Sequence, residues 1–157
     1  MHFTLAHIGA ARASSSHYDS LIRIYLERAS TYVPTQTQAF PSEQAFLAWL
    51  ARPKQGKSST LPVLPVLLDS RGRALSSIEF AAWLGARRDQ ATQHIAFAIG
   101  PADGWSPAAL ELVQSRSGLL LSLGPITMAH SLARLVLAEQ LYRACTILSG
   151  HPYHSGH

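Results

Sequence analysis

The run LPVLPVLLDSRG, residues 61–72, decides how this chain folds. Its first eight positions are apolar without a break, the pattern of a central strand covered on both faces rather than the alternation of a half-wet one. Pro65 has no amide to give to a ladder, which puts it near the start of that strand. Residues 69–74 then read as a turn, rich in the small and polar types that turns use.

Working outward, the same kind of element recurs. Upstream, residues 3–9 (FTLAHIG) form a strand-like run ending in glycine, and residues 16–32 carry helical spacing with Leu21, Ile24, Tyr25, Ala29 and Tyr32 on one stripe. Residues 35–40 form a weaker strand closed by Pro41, and Ser42 caps a helix through about Ala51. Residues 52–60 (RPKQGKSST) are a polar, basic loop. Downstream, Ser76 and Glu79 make a capping box that opens a helix to about Arg88. Residues 94–99 are the next strand, Ser106-Pro107 starts a further helix, and residues 119–123 are a fifth strand. The last helix runs from Ser131 to about Ser149, stops at Gly150, and leaves the tail His151-Pro152-Tyr153-His154. Strand and helix in alternation predict an α/β fold, a mostly parallel sheet flanked by helices with right-handed crossovers. Residues 1–157 read as one domain.

Composition narrows the function classes. Apolar residues are 47% and charged residues 14% of the 157, which excludes a disordered chain. No run of about 18 uncharged apolar residues occurs, so no membrane span is expected. The chain starts directly in a strand pattern, without the charged region and cleavage site of a secretory signal. The lone Cys145 excludes an internal disulfide and suits a cytoplasmic setting. The net charge is +4 and all the cations but Lys54 and Lys57 are arginine, a bias that suits phosphate contacts and an RNA partner. Ordinary solubility charge accounts for the same excess.

In open parallel sheets, ligands bind beyond the carboxyl ends of the strands. Three loops fall there: LLDSRG at residues 67–72, IGPADG at 99–104, and SLGPITM at 122–128. Glycine lets backbone approach a ligand and proline fixes the approach. Neither a GxGxxG nor a GxxxxGK[ST] pattern is present, which removes support from dinucleotide and P-loop readings.

With LLDSRG, FAIGPADGWSP (97–107), SLGPITMAH (122–130), LAEQLYRA (137–144) and terminal GHPYH (150–154), the chain resembles the RlmH family, small SPOUT-class enzymes that methylate N3 of a pseudouridine in 23S ribosomal RNA. The resemblance spans the whole chain in length and element order. It implies a C-terminal trefoil knot, a homodimer, and S-adenosyl-L-methionine held in the knot. By position it makes Leu68, Gly100, Leu123, Gly124, Pro125, Ile126, Thr127 and Met128 the cofactor pocket. Tyr153 and His154, from the same or the partner subunit, complete the site near the methyl group. The chain departs from the family at Pro101, which stands where a second glycine is usual and cannot donate an amide, and at Ser155, where a basic residue is usual.

His154 can take a proton near neutral pH, and Tyr153 can stack on a base or hydrogen-bond to it. Placing the base in line with the methyl donor could equally supply most of the rate. Arg52, Lys54, Lys57, Arg71 and Arg134 are expected as an RNA-facing rim. Glu139 and Arg143 read as an intrahelical pair, His130 as a capping or packing residue, and Cys145 as a small core residue. His151, His154 and His157 have ligand-like spacing, but with no carboxylate or second cysteine nearby no metal is expected. Two other readings stay open on the same fold: a non-catalytic RNA- or ribosome-binding module, and a methyltransferase for another RNA.

Overall fold

The structure is a computed structural model that describes residues 1–9, 17–52 and 62–154. In chain order its elements are β1 (His2–Ile8), α1 (His17–Ser30), β2 (Thr35–Phe40), α2 (Glu43–Ala51), β3 (Leu64–Ala74), α3 (Ser77–Asp89), β4 (His94–Ile99), α4 (Pro107–Ser115), β5 (Leu119–Ser122) and α5 (His130–Leu148), followed by a 3-10 turn at Pro152–His154. The strands form one sheet in the order β2-β1-β4-β3-β5, and every pairing is parallel.

Both faces of the sheet are covered. On one, α1, α3 and α5 pack Ile22, Leu26, Phe80, Leu84, Leu137 and Leu141 onto Phe3, Leu5, Val66, Ile95 and Phe97. On the other, α2, α4 and Trp105 pack on Ala6, Ile8, Leu67, Ala96 and Ala98. Strand side chains alternate between faces, so β4 gives Ile95, Phe97 and Ile99 to the three-helix side and Ala96 and Ala98 to the other. The alanines leave room for Phe40, Phe46 and Trp105. All six β4 residues are buried, which is why its sequence shows no polar alternation.

The helix starts follow local chemistry. Ser76 accepts from the Glu79 amide while the Glu79 carboxylate accepts from the Ser76 amide, the reciprocal cap expected there. Ser106 caps α4, with Pro107 in its first turn. Ser106 also bonds the Glu43 carboxylate, joining α4 to the start of α2.

Two expectations need correction. The buried face of α1 is Ile22, Leu26 and Ala29, whereas Leu21, Ile24 and Tyr32 of the expected stripe are exposed at 44%, 40% and 38%. Residues 69–74 are not a free turn: β3 leaves the ladder after Leu68 and rejoins it at Arg73, so that Leu68 and Arg73 both register with Leu121 of β5. Residues 69–72 thus bulge around β5, and Gly72 lies on its backbone. A Cβ there would stand 2.6 Å from the carbonyl carbon and oxygen of Leu120, so only glycine fits.

Candidate active site

A cleft of about 750 Å³ opens where β3, β4 and β5 end. All eight positions expected to hold the cofactor line it: Leu68, Gly100 and the run from Leu123 to Met128. Parallel pairing brings these three loops together, because it puts every strand's carboxyl end on one edge of the sheet.

Each loop is fixed by its own side chains. After β5, the Ser122 hydroxyl accepts from the Gly124 amide at 3.1 Å and donates to the Gly124 carbonyl at 3.3 Å. Gly124 takes φ +108, a value that favours glycine. After Leu68, the Asp69 carboxylate accepts from the backbone amide, Nε and Nη2 of Arg71, all within 2.9 Å. Those bonds, led by the side-chain one, hold the Asp69 carboxyl below the usual carboxylate range.

The third anchor was not anticipated. Trp105 is 6% exposed and donates its indole N–H to the Leu68 carbonyl at 2.8 Å. Its ring occupies the space beside Gly100, where a Cβ would lie 2.7 Å from Cε2. The loop after β4 is thereby fastened to the end of β3 through the floor of the cleft. Trp105 stood inside a motif noted in the sequence, yet no local pattern shows that an indole reaches a carbonyl 37 residues away.

An imidazole cluster adjoins the cleft. His130, the first residue of α5, lines it. It does not cap the helix; Ala129 occupies the cap position and provides no side-chain bond. Its ring centroid is 6.0 Å from that of His7 at the end of β1. One turn along α5, Arg134 donates to Asp19 of α1 at 3.1 Å. Burial, then the Arg134 charge, then His130 push His7 down to about 4, with Asp19 opposing. Burial and Arg134 lower His130 as well.

The tail lies elsewhere on the same helix. The Tyr153 hydroxyl donates to Glu139 Oε1 at 3.1 Å, its ring is 4.7 Å from that of Tyr142, and the Arg143 guanidinium sits 4.9 Å over it. Glu139 also accepts from Arg143 at 2.7 Å and from Gln140. The expected Glu139–Arg143 pair is therefore a clamp on the tail. Burial, then Glu139, push Tyr153 up to about 12. Tyr153 is not among the described residues lining the cleft, and the side chain of His154 lies outside what the structure describes. Glu139 lies six residues beyond Ala133, the last cleft residue of α5, about 9 Å along the helix axis.

The expected cationic rim is not one surface. Arg71 is at the cleft, bound to Asp69. Arg134 is turned inward on Asp19, its side chain 13% exposed. Arg52 is exposed just after α2. That end of α2 is tied to the start of β3 by Arg116, which donates to the Leu50 and Val63 carbonyls, so Arg52 sits at the opposite edge of the sheet from the cleft. Lys54 and Lys57 lie outside the described residues. Cys145 is buried, and burial pushes its thiol up to about 11, as suits a core residue. Among the described residues no cluster of metal-ligating side chains occurs, and no helix is long and apolar enough to cross a membrane.

Comparison with known proteins agrees with this architecture. The family described as "Predicted SPOUT methyltransferase" matches residues 1–154. A Koribacter versatilis protein named ribosomal RNA large subunit methyltransferase H is 46% identical over 146 residues, covering 93% of this chain and 94% of that one. A Brucella ovis protein of the same name is 48% identical over 101 residues, which are 64% of this chain and 57% of the longer relative. Among solved structures, a probable methylase family protein from Haemophilus influenzae Rd KW20 superposes with TM-score 0.52 at 13% identity, over 96% of this chain and 69% of that one, a likeness of fold alone. With 154 of 157 residues inside the family match and a relative 46% identical over 93% of this chain, the chain belongs to the RlmH family of SPOUT methyltransferases.

Proposed function

We propose that this protein uses S-adenosyl-L-methionine to methylate N3 of a pseudouridine in 23S ribosomal RNA, acting in the cytoplasm as a homodimer. The observation that carries the reading is the cleft: three loops at adjoining strand ends, pinned by Ser122, Asp69 and Trp105, around a space of about 750 Å³. That volume is within the ~300–1,000 Å³ range of small-molecule sites. The relatives' names supply the ribosomal RNA substrate.

The residues present fit the cofactor. Gly100 makes room for the Trp105 ring under the cleft, and the backbone of Leu123, Ile126, Thr127 and Met128 provides amides and carbonyls for an adenine edge or a ribose. Pro101 and Pro125 contribute carbonyls only. When bound, S-adenosyl-L-methionine supplies an electrophilic methyl group, and the protein contributes orientation and electrostatics. A C-terminal knot is part of the same proposal, carried by the family resemblance.

Tyr153, held by Glu139 and Arg143, presents the tail as a fixed unit away from its own cleft. In a homodimer it completes the partner's cleft, with Tyr153 stacking on the target base and His154 beside it. The exposed apolar side chains Tyr18, Leu21 and Ile24 of α1, with Tyr32 just after it, support such an interface. Arg71, at the cleft mouth, is placed to meet an RNA phosphate.

Calorimetry with S-adenosyl-L-methionine tests this reading. Saturable binding at micromolar concentrations is expected; no heat at high micromolar concentration contradicts it.

A further inference from the structure

Methylation at N3 requires that a proton leave a weakly acidic N–H, and a group near the reacting atoms must take it. Four titratable side chains line the cleft among the described residues: Asp69, Arg71, Asp103 and His130. Arg71 has no lone pair to offer. Asp69 is committed to three bonds from Arg71. Asp103 is exposed to water in the loop after β4, away from the start of α5 in the chain. Tyr153 donates to Glu139 and stays protonated. His130 is different: exposed at the cleft, it starts α5 directly beyond the loop that lines the site.

We propose that His130 is a catalytic residue, the acceptor of the N3 proton, an inference that rests on the methyltransferase reading above. The proton passes from N3 to an unprotonated ring nitrogen of His130. N3 keeps the electron pair and forms its new bond to the methyl carbon, while the pair of the breaking carbon–sulfur bond stays on sulfur. The imidazolium then releases its proton to water.

The surroundings of His130 suit this role. His7 faces it from β1, Arg134 from the next turn of α5, and Asp19 from α1 through Arg134. Asp69, Arg71 and Asp103 share the cleft. Burial, then the Arg134 charge, lower the proton affinity of His130, which favours the neutral ring with a lone pair free to offer.

The test compares wild type, His130→Ala, His130→Asn and His154→Ala in single-turnover methylation of 23S RNA across pH, with cofactor affinity measured by calorimetry. His130→Ala and His130→Asn are expected to bind cofactor within about threefold of wild type and to lose at least about 100-fold in rate. They are also expected to lose the acidic limb of the pH profile, and added imidazole should restore part of the His130→Ala rate. In the free wild-type protein, the His130 ring followed by NMR should titrate below 6.5. Retained rate in both His130 variants, or an acidic limb that disappears in His154→Ala instead, overturns the proposal. A wild type that binds cofactor yet methylates no ribosomal RNA overturns the substrate reading itself, a result distinct from an active wild type with active His130 variants.

Discussion

Trp105 and Gly100 share one space: the indole ring lies where a side chain at position 100 would stand, and its N–H reaches the Leu68 carbonyl at 2.8 Å. Gly100→Ala therefore cannot keep the present floor. A Cβ 2.7 Å from Cε2 forces the ring out, breaks its bond to Leu68 and intrudes on the cleft. Overpacking of this kind costs about 1–3 kcal/mol. Calorimetry should show cofactor affinity reduced at least tenfold, with the melting temperature lowered. Trp105→Phe keeps a ring but leaves the Leu68 carbonyl without its donor, at about 1–3 kcal/mol, and should weaken binding less than Gly100→Ala does.

Gly72 separates close approach from mere smallness. Its missing Cβ would meet backbone atoms of Leu120 and Leu121 that cannot move without opening the sheet. Gly72→Ala should destabilise by about 2 kcal/mol or more in urea unfolding. Gly85→Ala is the contrast: its Cβ meets only the end of the Leu148 side chain at 3.1 Å, and helix propensity favours alanine by about 1 kcal/mol. It should be neutral within about 1 kcal/mol.

Acid should weaken the fold above the range where carboxylates titrate. His7 is held near 4 in the folded chain against 6.5 for the free side chain. Below pH 6.5 the unfolded chain takes a proton that the folded chain refuses, so stability is lost as pH falls toward 4. His130 shifts the same way. Allowing for a half-exposed ring, His7 accounts for about 1–2 kcal/mol. Urea midpoints measured from pH 7 to 4 should fall, and more steeply in wild type than in His7→Gln. Equal slopes would remove His7 as the cause.

The Glu139 clamp predicts that the tail can be released without unfolding the chain. Arg143→Ala removes the cation over the Tyr153 ring and the partner of Glu139. Faster amide exchange at residues 150–153, with cofactor affinity kept and methyl transfer reduced at least tenfold, is the expected outcome. Unchanged turnover with a loosened tail would reduce the clamp to a local stabilising contact.

How far the sequence could be read follows from the range of each interaction. The caps at Ser76 and Ser106 are local, and both stood where the residues put them. Strand β4 was legible because burial on both faces leaves an unbroken apolar run. In α1, apolar residues occupy two faces, so spacing alone chose Leu21 and Ile24 over the Ile22 and Leu26 face that packs on α5 and the sheet. Residues 69–74 resembled a turn because their partner, β5, lies some fifty residues away in the chain. The cleft loops were legible through their place at strand ends. Trp105, His7 and the inward pairing of Arg134 with Asp19 were not, since each depends on which elements the fold makes neighbours.

The central claim, methyl transfer to a pseudouridine of 23S RNA, is tested most directly by mass mapping of ribosomal RNA from cells lacking this gene, and of the same ribosomes after incubation with purified protein and S-adenosyl-L-methionine. The account predicts an unmethylated pseudouridine that gains a single methyl group on N3 in vitro. A methyl mark that persists in the deletion strain, or deletion ribosomes that gain none, would contradict it.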